Sequence, residues 1–351
     1  MSRHVRQCVE SLEAYTPGEQ LRAPGLVKLN TNENPYGPSP LVAEALRSMP
    51  ADDLRLYPDP VSRALRERIA AIHGCGVDQV FVGNGSDEIL ALCTRAFVED
   101  DGSIGCFHPS YSLYPVLAAI RNVPSRLVEL DERFQWRMPA MPDCSLFFLA
   151  NPNAPTGIQY PRQVVESFCR AFRGVVMIDE AYVDFAREHD MDLALAMDNV
   201  LVMRTLSKSF SLAGLRVGYV VGPAGLVAAL YKIKDSYNLD TVSQRVALAA
   251  LSDLPHMQRN ALRIRQSRER LAAALRGLGF DVFPSQTNFL WAQPPHLAAA
   301  ELYAALKARM ILVRHFPGPR TTDFLRITVG TDEEIDALLR ATSEIVAPPA
   351  A

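Results

Sequence analysis

The sequence predicts an α/β protein: a central, mostly parallel sheet with helices on both faces, followed by a smaller α+β unit. Three observations carry this. Short apolar segments alternate with amphipathic ones through the middle of the chain. Those segments are apolar throughout, as strands covered on both faces must be. The last third then changes to long Arg- and Ala-rich stretches and a second group of short strands. With 351 residues, 48% of them apolar and 21% charged, the chain has length for two domains of about 150 residues. A core of that size needs neither disulfides nor a structural metal.

Residues 1–45 are rich in proline and glycine around one strand-like piece, LVKLN, and read as an arm joining the small domain. The large domain is expected over 46–245. In it, SRALRERIAAIHG is an amphipathic helix stopped by Gly74. QVFVGNG is a strand running into a glycine turn, and SDEILALCTRAFVED a helix opened by Ser86 with Asp87 and Glu88 in its first turn. SIGCF, SRLVEL, SLFFLA, GVVMID, VLVMRT and RVGYVVG supply further strands, with helices such as PRQVVESFCRAF between them. Residues 246–351 form the small domain, from long helices (SQRVALAALS, QRNALRIRQSRERLAAALRGLG), strands TNFLWA, ILVRHF and FLRITVG, and helices near 297–309 and 332–346. The basic run from Arg259 to Arg270 reads as a solvated helical face, and the only low-complexity segment is the tail APPAA.

A net charge of −3 gives no reason to expect nucleic acid or an anionic membrane as partner. No run of 18 apolar residues predicts a membrane span, and the N-terminus has no apolar stretch of signal-peptide length. The six cysteines show no C-x-x-C spacing and no two histidines stand at i, i+4, so no metal is expected. Reduced thiols in a cytoplasmic protein are the simplest account.

In open parallel sheets ligands collect outside the carboxyl ends of the strands, and polar residues cluster there. Asn84-Gly85-Ser86-Asp87 is either a capped helix start or an anion site built on exposed N–H groups. The third glycine of a dinucleotide fingerprint is missing. SLFFLA runs into Asn151-Pro152-Asn153-Ala154-Pro155-Thr156-Gly157, a rigid polar turn that is either plain loop or site. GVVMI ends at Asp179, with Tyr182 three residues on. VLVMRTLSKSFSLAGLRVGYVVG places Thr205, Ser207 and Lys208 after a strand and Arg216 before the next. The chain has 31 Arg but five Lys, and Lys208 is the one at a strand end; Lys28, Lys232, Lys234 and Lys307 read as surface charges. An amine used as nucleophile must be desolvated or near other cations to lose its proton near neutral pH. An amine, an acid, a tyrosine, an asparagine and a phosphate cradle are what pyridoxal 5′-phosphate requires.

On the segments LNTNENPYGPSP, RLYPDP, VGNGSDE, PSYSLY, NPNAPTG, DEAYVDF, TLSKSFSLAGLRVGY and FLRITVGT, spread over nearly the whole chain, the sequence resembles the fold-type-I pyridoxal-phosphate aminotransferases, and within them the histidinol-phosphate branch. The resemblance implies that Lys208 holds the cofactor through its amine and moves the reaction's proton. Asp179 would keep the pyridine nitrogen protonated, Tyr182 would bond the ring oxygen and Tyr111 would stack on the ring. Ser86, Asp87, Thr205, Ser207 and Arg216 would hold the cofactor phosphate. Tyr57 would reach across a homodimer interface, and Tyr15, Arg314 and Arg326 would bind substrate. The family often carries Asn directly before P-T-G; here that position is Ala154, and Asn153 is the candidate to replace it. The implied reaction is ping-pong transamination between L-histidinol phosphate and 2-oxoglutarate, in histidine biosynthesis. Alternatives are an aromatic amino-acid aminotransferase, a threonine-phosphate decarboxylase, and a regulator with an aminotransferase-like domain, for whose DNA-binding part residues 1–30 leave no room.

Overall fold

A computed structural model describes residues 4–13, 15–21, 23–137 and 141–347; most of the APPAA tail lies outside them. The strands, in chain order, are β1 (Val27–Lys28), β2 (Val80–Asn84), β3 (Ile104–His108), β4 (Ser125–Glu129), β5 (Leu146–Ala150), β6 (Val175–Asp179), β7 (Val200–Thr205), β8 (Val217–Val221), β9 (Asp281–Val282), β10 (Phe289–Gln293), β11 (Ile311–Leu312), β12 (Arg314–His315) and β13 (Leu325–Thr328). Seven of them form one sheet in the order β2-β8-β7-β6-β5-β3-β4. β8 runs antiparallel to both neighbours and the remaining pairs are parallel.

Successive strand side chains point to opposite faces, and here both faces are apolar. Phe147, Leu149, Val176, Ile178, Val200 and Val202 enter one core, while Leu146, Phe148, Met177, Leu201 and Met203 enter the other. Helices Gly85–Phe97, Leu113–Arg121 and Ala224–Ile233 cover the second face. Helices Arg63–His73, Arg162–Ala171 and Thr241–Leu251 contribute to the first. Arg63–His73 ends at Gly74 in the left-handed region (φ 66), where glycine carries no Cβ penalty.

An antiparallel four-stranded sheet, β12-β13-β10-β9, follows the 24-residue helix Leu254–Gly277. β1 of the arm pairs in parallel with β11. Trp291, Leu325 and Ile327 of this second sheet belong to the same apolar core as the first face of the large sheet.

Two expectations are corrected. The helix after β2 begins at Gly85 rather than at Ser86, with Asn84 in the cap position and no side-chain cap bond. The basic run from Arg259 to Arg270 is not wholly solvated. Arg268 is buried, 4% exposed, and donates to the carbonyls of Thr287 (2.8 Å) and Phe185 (3.2 Å). The long helix is covered on one side by the small sheet and on another by the turn after β6, so a guanidinium there satisfies carbonyls that would otherwise be orphaned. No described helix is long and apolar enough to cross a membrane.

Candidate active site

The reversed strand β8 assembles the site. In antiparallel register Thr205 of β7 lies beside Gly218, and Asn84 of β2 beside Val217. The ends of β2 and β7 and the start of β8 therefore share one sheet edge. Ser207 and Lys208 after β7, Arg216 before β8 and Ser86 after β2 converge there, with Asp179 at the end of the adjacent β6. The backbones approach closely: a Cβ on Gly218 would stand 2.9 Å from the Ser86 nitrogen, and one on Gly85 (φ 78) 2.6 Å from Arg216 Nη2.

A cavity of about 590 Å³ opens at this edge, lined by Ser86, Asp87, Tyr111, Asp179, Tyr182, Thr205, Ser207, Lys208 and Arg216. Tyr15, Arg314 and Arg326 line the same cavity. On the anion side, Arg216 Nη1 donates to Ser207 Oγ (3.3 Å), whose hydroxyl also accepts from Thr205 Oγ1 (2.9 Å). Arg216 Nη2 lies 3.4 Å from Asp87 Oδ2. Beneath the cavity, Asp179 accepts from the Tyr114 hydroxyl at 2.8 Å and from the Ala181 N–H at 3.0 Å. Burial raises its carboxyl to about 6 despite those two bonds, with Asp87 and Glu180 adding repulsion.

Lys208 Nζ donates to the Thr31 carbonyl at 3.2 Å. Burial lowers its amine to about 8, aided by Arg326 and Arg216 and opposed by Glu33 and Asp87. Tyr182 accepts a hydrogen bond from Asn32 Nδ2 (2.9 Å), and burial raises its phenol. Tyr111 meets Tyr15 edge-on at 5.8 Å.

The Arg326 guanidinium lies 5.3 Å from the Phe289 ring centre and 5.1 Å from that of Phe316. Its Nη2 donates to the Asn30 carbonyl (3.1 Å) while its Nε is buried without a partner. No carboxylate stands within ion-pair distance of it among the described residues. Burial makes its proton easier to lose, yet a guanidinium stays charged in proteins, so the cavity holds a cation in want of an anion. Arg314 binds the carbonyls of Thr16 (2.8 Å) and Pro17 (3.2 Å) at the mouth.

Two expected residues fall outside the cavity. Asn153 is fully buried; its Oδ1 accepts from Ser110 Oγ (2.7 Å), and its Nδ2 donates to the Pro109 carbonyl (3.1 Å) and Thr156 Oγ1 (3.0 Å). Its amide is spent on tying two loops together, and Ala154 lines the cavity instead. Tyr57 is 81% exposed and stacks on Tyr237 at 4.4 Å, away from the cavity. Three unassigned residues belong to the site: Thr31, Asn32 and Tyr114. All sit in the segments LNTNENPYGPSP and PSYSLY, but nothing in their spacing says which partners they meet. Lys28, expected at the surface, is half-buried and ion-paired with Glu33 beside Thr31.

This fold and this site are those of an aminotransferase: residues 24–341 match the family model for aminotransferase class I and II, and the chain belongs to that family. Its curated relatives include the histidinol-phosphate aminotransferases of Gluconacetobacter diazotrophicus (46% identical, covering 99% of each chain) and Microcystis aeruginosa (44% identical, 97% of this chain and 98% of that one). Among solved structures, the histidinol-phosphate aminotransferase of Sinorhizobium meliloti in complex with pyridoxal-5′-phosphate superposes with a TM-score of 0.87 at 25% identity, covering 99% of this chain and 98% of that one.

Proposed function

We propose that this chain catalyses transamination from L-histidinol phosphate to 2-oxoglutarate with pyridoxal 5′-phosphate, giving imidazole acetol phosphate and L-glutamate, a step of histidine biosynthesis. The observation that carries it is the pairing, in one cavity, of a buried amine brought down to about 8 with a buried carboxyl brought up to about 6. Buried groups shifted toward neutrality that also line an open cavity are the pattern of a site that exchanges protons with a ligand.

The residues fit the cofactor. Ser86, Thr205, Ser207, Arg216 and the first N–H groups of the 13-residue helix Gly85–Phe97 form a cradle for a phosphate, where Gly85 leaves room that a Cβ would fill. Asp87, 3.4 Å from Arg216 Nη2, orients that guanidinium. Asp179 would hold a proton on the pyridine nitrogen, and Tyr111, which lines the same cavity, would stack on the ring. Pyridoxal phosphate supplies an electron sink conjugated to the reacting carbon.

Lys208 holds the cofactor between turnovers. When substrate takes its place, the freed Lys208 amine would serve as the base that carries the proton from the substrate's reacting carbon to the carbon on the other side of the linking nitrogen. Tyr182 would donate its hydroxyl proton to the ring oxygen. Arg326, with Arg314 and Tyr15, binds the substrate phosphate, and in the second half-reaction a carboxylate of 2-oxoglutarate. The two substrates share one anion site and therefore react in turn, by a ping-pong mechanism.

Assembly as a homodimer belongs to the same reading. Leu54, Leu56 and Tyr57 form an exposed apolar strip, and Tyr57 would complete the cavity of a second copy. So do a cytoplasmic location and the division into an arm (1–45), a large domain (46–245) and a small domain (246–351).

The experiment mixes cofactor-loaded protein with L-histidinol phosphate alone and follows the visible absorbance. Loss of the carbonyl-form band, restored by 2-oxoglutarate, is expected. No change there, but conversion with phenylalanine or tyrosine, would move the protein to the aromatic branch.

A further inference from the structure

We propose that Asn32 is a positioning residue that sets the direction of the Tyr182 hydroxyl proton, making Tyr182 a donor into the cavity. The inference rests on the cofactor assignment above and concerns this chain's own residues.

Asn32 is 1% exposed and sits in the left-handed region (φ 57), which asparagine tolerates better than most residues. Its backbone N–H donates to Thr328 Oγ1 (3.0 Å), and its carbonyl accepts from Asn288 Nδ2 (3.0 Å). The Thr328 hydroxyl, having accepted that N–H, still has its own proton to place, and Asn32 Oδ1 lies 3.0 Å away. That bond fixes which end of the amide is which. The Asn32 oxygen faces Thr328, so Nδ2 faces Tyr182 at 2.9 Å.

A phenol has one proton and two lone pairs. With one lone pair taken by Asn32, the proton is free to point elsewhere, and among the described residues no acceptor takes it. Ala154, which lines the same cavity, offers no side-chain donor. The donors are arranged in series, from Thr328 through Asn32 to Tyr182. The charged groups around the phenol are Arg326 from β13, Asp179 at the end of β6, Asp87, and Lys208, whose Nζ lies 5.7 Å from the ring centre.

A donor on the ring oxygen stabilises its negative charge and so weakens its hold on the neighbouring nitrogen's proton. The pH midpoint of the bound cofactor's visible absorbance therefore reads the Tyr182 proton. Asn32→Asp keeps the shape but offers an acceptor, so the phenol turns its proton away from the cavity. The midpoint is expected to rise by about one unit, as it does in Tyr182→Phe. In the Tyr182→Phe background, Asn32→Asp should move the midpoint by less than half as much, because no phenol remains to redirect. Equal shifts in both backgrounds would mean that the new charge acts directly, and would overturn the inference. Thr328→Val, which removes the hydroxyl that orients the amide without adding charge, should raise the midpoint in the same direction; it keeps the test open if Asn32→Asp does not fold. Unmoved midpoints also overturn the inference, whereas wild-type protein that takes up no pyridoxal phosphate overturns the reading beneath it.

Discussion

Tyr114 donates its hydroxyl proton to Asp179 Oδ2 across 2.8 Å, inside the protein beneath the cavity floor. Both residues are buried, and the bond only partly offsets the loss of water around the carboxylate. Asp179 is thus held in a state that suits a cationic ligand better than it suits the empty protein.

This arrangement has a cost in stability that depends on pH. An aspartate in an unfolded chain ionises near 3.9, whereas Asp179 in the fold ionises at about 6. The fold therefore favours the protonated carboxyl. That stabilisation is complete below pH 4 and is lost as pH climbs through 6. The difference between the two states of the chain corresponds to roughly 3 kcal/mol. Asp179→Asn should accordingly raise the melting temperature of the cofactor-free protein at pH 7.5, with the advantage vanishing near pH 4, while abolishing turnover. Thermal unfolding across that range checks it; a variant less stable than wild type at pH 7.5 would contradict the account.

Lys208→Ala should abolish turnover and still bind pyridoxal phosphate without a covalent link. In the wild type the rate of cofactor uptake should rise with pH and level off above about 8, where the amine is free. A rate still climbing at pH 10 would show that the amine is not depressed. Appreciable transamination by the alanine variant would remove Lys208 from its assigned role.

Arg326→Ala should raise the Michaelis constants for L-histidinol phosphate and 2-oxoglutarate together, by roughly 10- to 100-fold, the range of a hydrogen bond to a charged group. Steady-state kinetics on both substrates decides this. A rise for only one of them would show that they do not share the guanidinium.

Gly85→Ala should weaken cofactor binding by about tenfold or more, since the added methyl would displace Arg216 and strain a backbone at φ 78. Equilibrium dialysis of the cofactor measures the effect. Unchanged affinity would place the phosphate away from this turn.

Much of the architecture was legible because its signals are local. Strands apolar on both faces announced a buried sheet, and the helix before Gly74 carried its own stop. The stretch from Thr205 to Arg216 was singled out by composition alone, since a lysine at a strand end is rare in a chain with five. The reversal of β8 was not legible, because strand direction depends on how the turn between β7 and β8 closes rather than on the residues within either. The burial of Arg268 escaped for a related reason: a basic run on a helix looks solvated until a second sheet lies against it. Asn153 had the right chemistry and the wrong direction, its amide consumed by Ser110, Pro109 and Thr156. Asn32 and Tyr182 lie 150 residues apart, beyond the reach of any spacing argument. The sequence alone determined which chemical groups this protein possesses and which local elements carry them. The tertiary structure decided which of those groups meet, because hydrogen bonds and burial act over a few ångströms in space and take no account of distance along the chain.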